Sequence, residues 1–346
     1  MRSALFRGLG WLAIFAAIMG LTGFESDSAS GKTPAKQLTT VQDESWTSLP
    51  LAGSTFHSQP PLVAQKDENP SFTRELVQLQ WRTGDPIDLW VMRPKGVTKP
   101  PVILYLYGYP SETDRFRDND YCDRITRNGF AAVGFVSALT GHRYHDRPMK
   151  KWFVSELQES LATSTHDVQL ILNYLSDRGD LDMTNVGMFG EGSGATIAIL
   201  AAAVDPSIKT LDVLDPWADW PEWMKSSFVI PEEERKNYIR PEFLAKIAPL
   251  DPVLWFPQLK TPHIRLQHVG DDSATPQAAK QHLEGVAPKG AVIQRYEDTK
   301  QLFTAVSGGR LFDWMKDQMR SPSQKANDTT ASQPQPAQLP VPGNRN

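Results

Sequence analysis

Asn185-Val186-Gly187-Met188-Phe189-Gly190-Glu191-Gly192-Ser193-Gly194-Ala195 joins a short apolar run to a cluster of glycines at alternate positions. Val186 to Phe189 reads as a strand, because a brief apolar run bounded by turn residues suits a strand buried on both faces. Residues 195–204 are small and apolar, a composition that lets a helix pack close to a sheet. Between the two, the glycines mark a sharp turn that side chains would obstruct. The segment therefore reads as strand, tight turn and helix.

Outward from it the same alternation continues. Glu75 to Trp81 alternates with period two, and Pro86 to Met92 follows a Thr83-Gly84-Asp85 turn as its hairpin partner. Val102 to Tyr107 and Phe130 to Val136 are continuous runs rich in β-branched and aromatic residues, as buried parallel strands are. A helix is expected over about 156–175, with Val168, Leu170, Ile171, Leu172 and Leu175 on its apolar side. Leu211 to Leu214, His263 to Gln267 and Val292 to Tyr296 complete eight strands, with helices at about 276–286 and 309–319. Strands alternating with helices imply one α/β domain over 73–320, built on a mostly parallel sheet. A helical insertion at 217–250, after the sixth strand, carries Trp217, Trp220, Trp223, Met224 and Phe228. It begins at the carboxyl end of a strand, where open α/β sheets bind ligands. Its aromatic residues either roof a pocket or pack the insertion onto the domain.

With 346 residues and 40% hydrophobic content, the chain is long enough for such a core. A net charge of −4 gives no basic face for nucleic acid. Cys122 is the single cysteine, which excludes an intrachain disulfide and a cysteine-rich metal site. Arg2 and Arg7 precede an apolar run over 8–24, and small residues follow at Ser28-Ala29-Ser30. That order is the pattern of a secretory signal, so residues 1–30 read as a signal peptide and the protein as periplasmic or secreted. The run of roughly 17 residues sits at the lower limit for crossing a bilayer, so membrane attachment requires that it stay uncleaved. Residues 31–72 read as a flexible segment, and 321–346, rich in Pro, Gln, Ser and Thr, as a disordered tail.

The strand-turn-helix at 185–195 resembles the nucleophile elbow of the α/β-hydrolase superfamily. The helix leading into Asp180-Leu181-Asp182 resembles the dienelactone hydrolase and prolyl-oligopeptidase branch. The elbow pattern is Gly-x-nucleophile-x-Gly. With Gly190 and Gly194 as its frame, the nucleophile position holds Gly192, which has no side chain to attack anything. The family's acid loop resembles Gly270 to Pro276, placing the acid at Asp272 with Asp271 as the near alternative. Gln301 falls where the family's histidine would be, and an amide is no base at neutral pH. His282 is the only histidine after Asp272, and it lies inside a helical pattern. In the oxyanion loop, Tyr107-Gly108-Tyr109-Pro110 replaces the family's usual His-Gly-Gly. The backbone N–H groups of Tyr109 and Ser193 are the expected anion-binding pair.

Other chemistry is thinly supported. Gly141 to Arg147 places His142, His145 and Asp146 in the loop after the fourth strand. Arg143 and Arg147 disfavour a cation there, and no metal or other cofactor is expected. Hydrogen bonds that organise the loop, or contacts to an acidic ligand, are the alternatives. Ser193 serves as nucleophile only if a displaced base such as His142, His145 or His268 reaches it. The resemblance thus implies an exported protein of hydrolase fold whose serine-hydrolase machinery is broken. Its cleft would take a small molecule, a peptide or a partner protein, with Tyr107, His142, His145, Trp217 and Trp220 as contacts. The alternatives are an active esterase or peptidase-like hydrolase using Ser193, and a structural component of an envelope assembly.

Overall fold

The computed structural model describes residues 44–51, 57–139, 143 and 156–320. Among them, nine strands form one sheet: β1 Leu62–Glu68, β2 Phe72–Arg82, β3 Asp85–Pro94, β4 Pro101–Leu106, β5 Ala131–Phe135, β6 Asp182–Glu191, β7 Ile208–Leu214, β8 His263–Val269 and β9 Val292–Tyr296. Their spatial order is β1-β2-β3-β5-β4-β6-β7-β8-β9. The β1–β2, β2–β3 and β3–β5 pairs are antiparallel, and every pair from β5 to β9 is parallel.

The helices are α1 Asn119–Thr126, α2 Leu157–Arg178, α3 Ser193–Val204, α4 Trp220–Ser226, α5 Glu232–Tyr238, α6 Pro241–Ile247, α7 Pro252–Trp255, α8 Gln277–Gly285, α9 Thr299–Val306 and α10 Asp313–Met319. Strand geometry sends alternate side chains to opposite faces. In β4, Val102, Leu104 and Leu106 accordingly join the larger core, with α2, α3 and the insertion. Ile103, Tyr105 and the following Tyr107 join the smaller one, with α1 and α10. Both faces of the central strands are buried, which is why they read as unbroken apolar runs.

Three expectations are corrected. The sheet, expected to hold about eight strands, has nine, because Leu62–Glu68 adds an outer antiparallel strand to β2. That strand is almost wholly exposed, so it carries no apolar alternation from which to read it. The insertion consequently follows the seventh strand.

The folded domain also begins before residue 73. Leu49 is buried in the larger core, and Glu44 pairs with Arg82 on β2. The Glu44 ion pair, hydrogen bonds from the His166 and Gln169 side chains to the segment's backbone, and the single buried Leu49 hold residues 44–51 in place. Finally, the stretch after β9 that holds Gln301 is the helix α9, whose N-terminus Asp298 caps by accepting from Gln301 N–H. The apolar run 8–24, the tail 321–346, His142 and His145 lie outside the described residues. Among the described residues no helix is long and apolar enough to cross a membrane.

Candidate functional site

The turn between β6 and α3 forms where steric demands are severe. A Cβ on Gly190 would stand 2.4 Å from the Ala195 Cα, and one on Gly194 would stand 1.9 Å from the Leu106 carbonyl oxygen. Both glycines are required because strand and helix backbones meet there. Gly192 differs. Its added Cβ would meet nothing closer than Trp217 Nε1 at 3.5 Å, an ordinary contact. What its backbone does impose is φ 56° and ψ −120°, a conformation costly for any residue with a side chain. The elbow therefore keeps its backbone shape and its space for a nucleophile, with no nucleophile in it.

Ser193 is the first residue of α3 and is buried. Its Oγ accepts a hydrogen bond from Tyr109 N–H at 2.9 Å. The two residues expected to aim two N–H groups at an anion are thus bonded to each other. One expected donor already serves the serine hydroxyl. Among the described residues no histidine contacts Ser193. His268 turns Nδ1 to Asp215 at 3.2 Å, and its Nε2 faces Glu284 at 3.9 Å. His282 bonds Asp219 at 2.8 Å.

The acid loop follows β8. Asp272 accepts from Ala274 N–H at 3.1 Å and Thr275 N–H at 3.3 Å, so its carboxylate closes its own turn. Burial, then the neighbouring Asp215, push the Asp272 carboxyl up; those N–H bonds and Lys280 oppose the rise. Gln301 makes no bond to Asp272. Its Oε1 accepts from Glu297 N–H while its own N–H donates to Asp298, so the side chain secures the start of α9. Asp271 is the residue that reaches the last loop, accepting from Thr299 N–H and Oγ1 at 2.8 Å each.

Sequence reading missed four residues at this end of the sheet. Asp215 directly follows β7 with φ 45°, a strained value for a residue other than glycine. It draws together His268, Val269 N–H and the buried Lys280, whose Nζ lies 3.6 Å from it and donates to the Asp272 carbonyl at 2.7 Å. Glu191, at the end of β6, lies 3.7 Å from Arg115. Burial raises the Glu191 carboxyl; Arg115 counters, and Asp215 and Asp272 add to the rise. This end of the sheet therefore gathers the carboxylates of Glu191, Asp215 and Asp272 with the buried Lys280 ammonium and the partly exposed Arg115 guanidinium. Only the Asp215-Pro216 step, which marks a turn after an apolar run, hints at any of this in the sequence.

The aromatic candidates separate. Trp217 is buried, with its indole nitrogen over Gly192. Trp220, expected to contact a ligand, is wholly buried and meets Trp223 edge to face at 5.8 Å, packing the insertion onto the domain. Tyr107 lies buried beneath the Arg115 guanidinium, 4.3 Å from its ring centre, with its hydroxyl against that of Tyr121. A large exposed aromatic does stand beside the acid loop: Phe228, whose N–H bonds the Ser273 carbonyl at 3.3 Å. A cavity of about 500 Å³, lined by Val97, Lys99, Asp182 and Asn185 among others, opens at the opposite end of the sheet.

Comparison with known proteins settles the architecture. The structure matches an acetyl xylan esterase from Paenibacillus sp. R4, at 17% identity and a TM-score of 0.52 over 70% of this chain and 83% of that one. It matches acetyl xylan esterase 1 from Thermoanaerobacterium sp. JW/SL YS485 at 14% identity and 0.54, over 70% and 82%. The chain has the α/β-hydrolase fold. An acylaminoacyl peptidase from Pyrococcus horikoshii shares that fold at 13% identity and 0.54, over 76% of this chain. This chain spans half the length of that peptidase. No protein-family model and no curated protein matches the sequence. At these identities the α/β-hydrolase likeness concerns the fold, and the chemistry rests on the residues above.

Proposed function

We propose that this is an exported α/β-hydrolase-fold protein without serine-hydrolase activity, which binds a small molecule, a peptide or a partner protein in the former active-site cleft. The observation that carries the reading is Gly192, held at φ 56° where a nucleophile would stand. Two further facts support it. The Ser193 hydroxyl is engaged with Tyr109 N–H, and Gln301, at the base position, caps a helix instead of facing Asp272. Acyl transfer needs a nucleophile, a base within hydrogen-bond reach and a donor pair for the oxyanion. Among the described residues no side chain stands at the nucleophile position and no histidine bonds Ser193, and the donor pair is half occupied. Export rests on the basic-apolar-small pattern of residues 1–30.

The test is reaction of the folded protein with a fluorophosphonate serine probe, together with short-chain ester hydrolysis, each with Ser193→Ala as control. Silence in both assays is the expected result. Labelling and turnover that vanish in Ser193→Ala would overturn the reading and make Ser193 a displaced nucleophile.

A further inference from the structure

One ion pair beside the elbow is left open. Glu191 is the last residue of β6 and directly precedes Gly192. Arg115 lies in a helical turn, Asp114–Arg117, that follows β4. β4 and β6 are neighbours in the sheet, so the pair stands at the carboxyl end, where open α/β sheets bind ligands. The guanidinium stays 3.7 Å from the carboxylate, beyond hydrogen-bond length. Arg265, by contrast, forks onto Asp212 at 2.9 and 2.6 Å, as a structural pair does. Arg115 is seated on an aromatic ring instead, with its guanidinium carbon 4.3 Å from the centre of the buried Tyr107 ring. Among the described residues none donates a hydrogen bond to the Glu191 carboxylate. The Arg115 and Glu191 side chains are 49% and 37% exposed, so a ligand can reach both.

The surroundings select the kind of ligand. Asp215 and Asp272 lie near enough to raise the Glu191 carboxyl, and Lys280 stands 3.6 and 4.0 Å from those two. Charges of both signs are therefore present in near balance. A simple anion drawn to Arg115 would meet the carboxylates, and a simple cation drawn to Glu191 would meet Arg115. A ligand with both signs escapes both penalties. Its carboxylate pairs with the Arg115 guanidinium while its ammonium donates to Glu191, so the four charges alternate and each has opposite neighbours. An α-amino acid bears both charges on one carbon. Its side chain is then free to turn toward the room over Gly192, which Trp217 bounds.

We propose that Arg115 and Glu191 form the head-group subsite of the cleft, and that the ligand it takes is a free α-amino acid held as a zwitterion. The inference deepens the binding function proposed above and rests on it. It also accounts for the open pair, whose donors and acceptors stay unspent on each other until a ligand supplies their partners.

The test is calorimetric titration of the full chain with the common L-amino acids, followed by the N-acetyl and amide derivatives of the tightest one. Saturable binding with a Kd below about 1 mM is expected for at least one free amino acid. Acetylation removes the ammonium and amidation removes the carboxylate charge, and each should weaken binding by about tenfold or more. Glu191→Gln should shrink the acetylation penalty to less than about twofold and leave the amidation penalty standing. Arg115→Met should do the reverse, because each penalty belongs to one contact. The comparison among ligands needs no variant, so it decides the matter even if a variant fails to fold. No binding by any free amino acid, equal binding of either derivative, or penalties that both variants leave unchanged overturns the proposal. Its failure is distinct from failure of the reading beneath it: Ser193-dependent labelling by the serine probe sinks that reading, whereas a silent probe with no amino-acid binding sinks only this one.

Discussion

The three glycines of the elbow look alike in sequence, but the structure assigns them unequal costs. At Gly192 an added methyl has room, with Trp217 Nε1 at 3.5 Å. The penalty for Gly192→Ala is therefore conformational, about 1–3 kcal/mol for a side chain held at that dihedral. About 0.4–1 kcal/mol of it is offset because alanine restricts the unfolded chain. A net loss of about 1–2 kcal/mol is expected, roughly 2–4 °C in Tm per kcal/mol for a domain of this size. Gly194→Ala meets the Leu106 carbonyl oxygen at 1.9 Å, and Gly190→Ala meets the Ala195 Cα at 2.4 Å. Both obstacles are backbone atoms that no rotamer change can move, so β4, β6 and α3 must separate. Each of these variants should lose more than about 4 kcal/mol or fail to fold, the range reserved for disruption of the core. Urea unfolding of the three variants, followed by tryptophan fluorescence, gives the ranking. A Gly192→Ala loss equal to or larger than that of Gly194→Ala would refute the reasoning, because the central glycine would then be part of the packing.

Three other outcomes follow from the same geometry. Ser193→Ala removes the acceptor of the Tyr109 N–H and should cost about 1–3 kcal/mol in urea unfolding; no measurable loss would show that this bond does not hold the loop. Burial alone would raise the Glu44 carboxyl, but bonds from His166 and Arg82 hold it at about 2, below its ordinary 4.5. A folded-state value below the unfolded one means stability that is present above pH 4.5 and lost as pH falls toward 2, so the gap between wild type and Glu44→Gln should close over that interval. A gap that stays constant from pH 6 to 2 would contradict the pairing. Last, the double variant Gly192→Ser with Gln301→His should fold yet hydrolyse no ester, because position 301 faces Glu297 N–H and not Asp272; turnover above that of Gly192→Ser alone would show that the last loop can reach the acid.

Much of this architecture was legible because it rests on local signals. Continuous apolar runs marked β4, β5 and β6, since strands buried on both faces tolerate little else. The glycine spacing marked the elbow, since backbone contact there leaves no room for side chains. Gln301, read from the sequence as the position of the family's base, falls within a helix that the reading did not anticipate. The contacts made between distant residues were not legible. Glu44 meets Arg82 across 38 positions and His166 across 122, and no periodicity reports such a pair. Asp215 acquires its role only when β7 and β8 lie side by side. Trp220 looked like pocket lining because aromatic residues in an insertion read alike whether they face ligand or core.

The outermost strand has a bearing on how the protein behaves at high concentration. Among the described residues β1 is the edge of the sheet, with Leu62 and Val63 exposed, and such edges invite pairing with another molecule. Its second half is Lys66-Asp67-Glu68, each fixed by an ion pair to Glu75, Arg74 or Lys95, and its register breaks between Val63 and Gln65. A second strand laid along it would have to desolvate those charges and follow a broken register. The strand that sequence patterning missed is thus also the one armed against aggregation, and neutralising its three charges should make the protein less soluble without unfolding it.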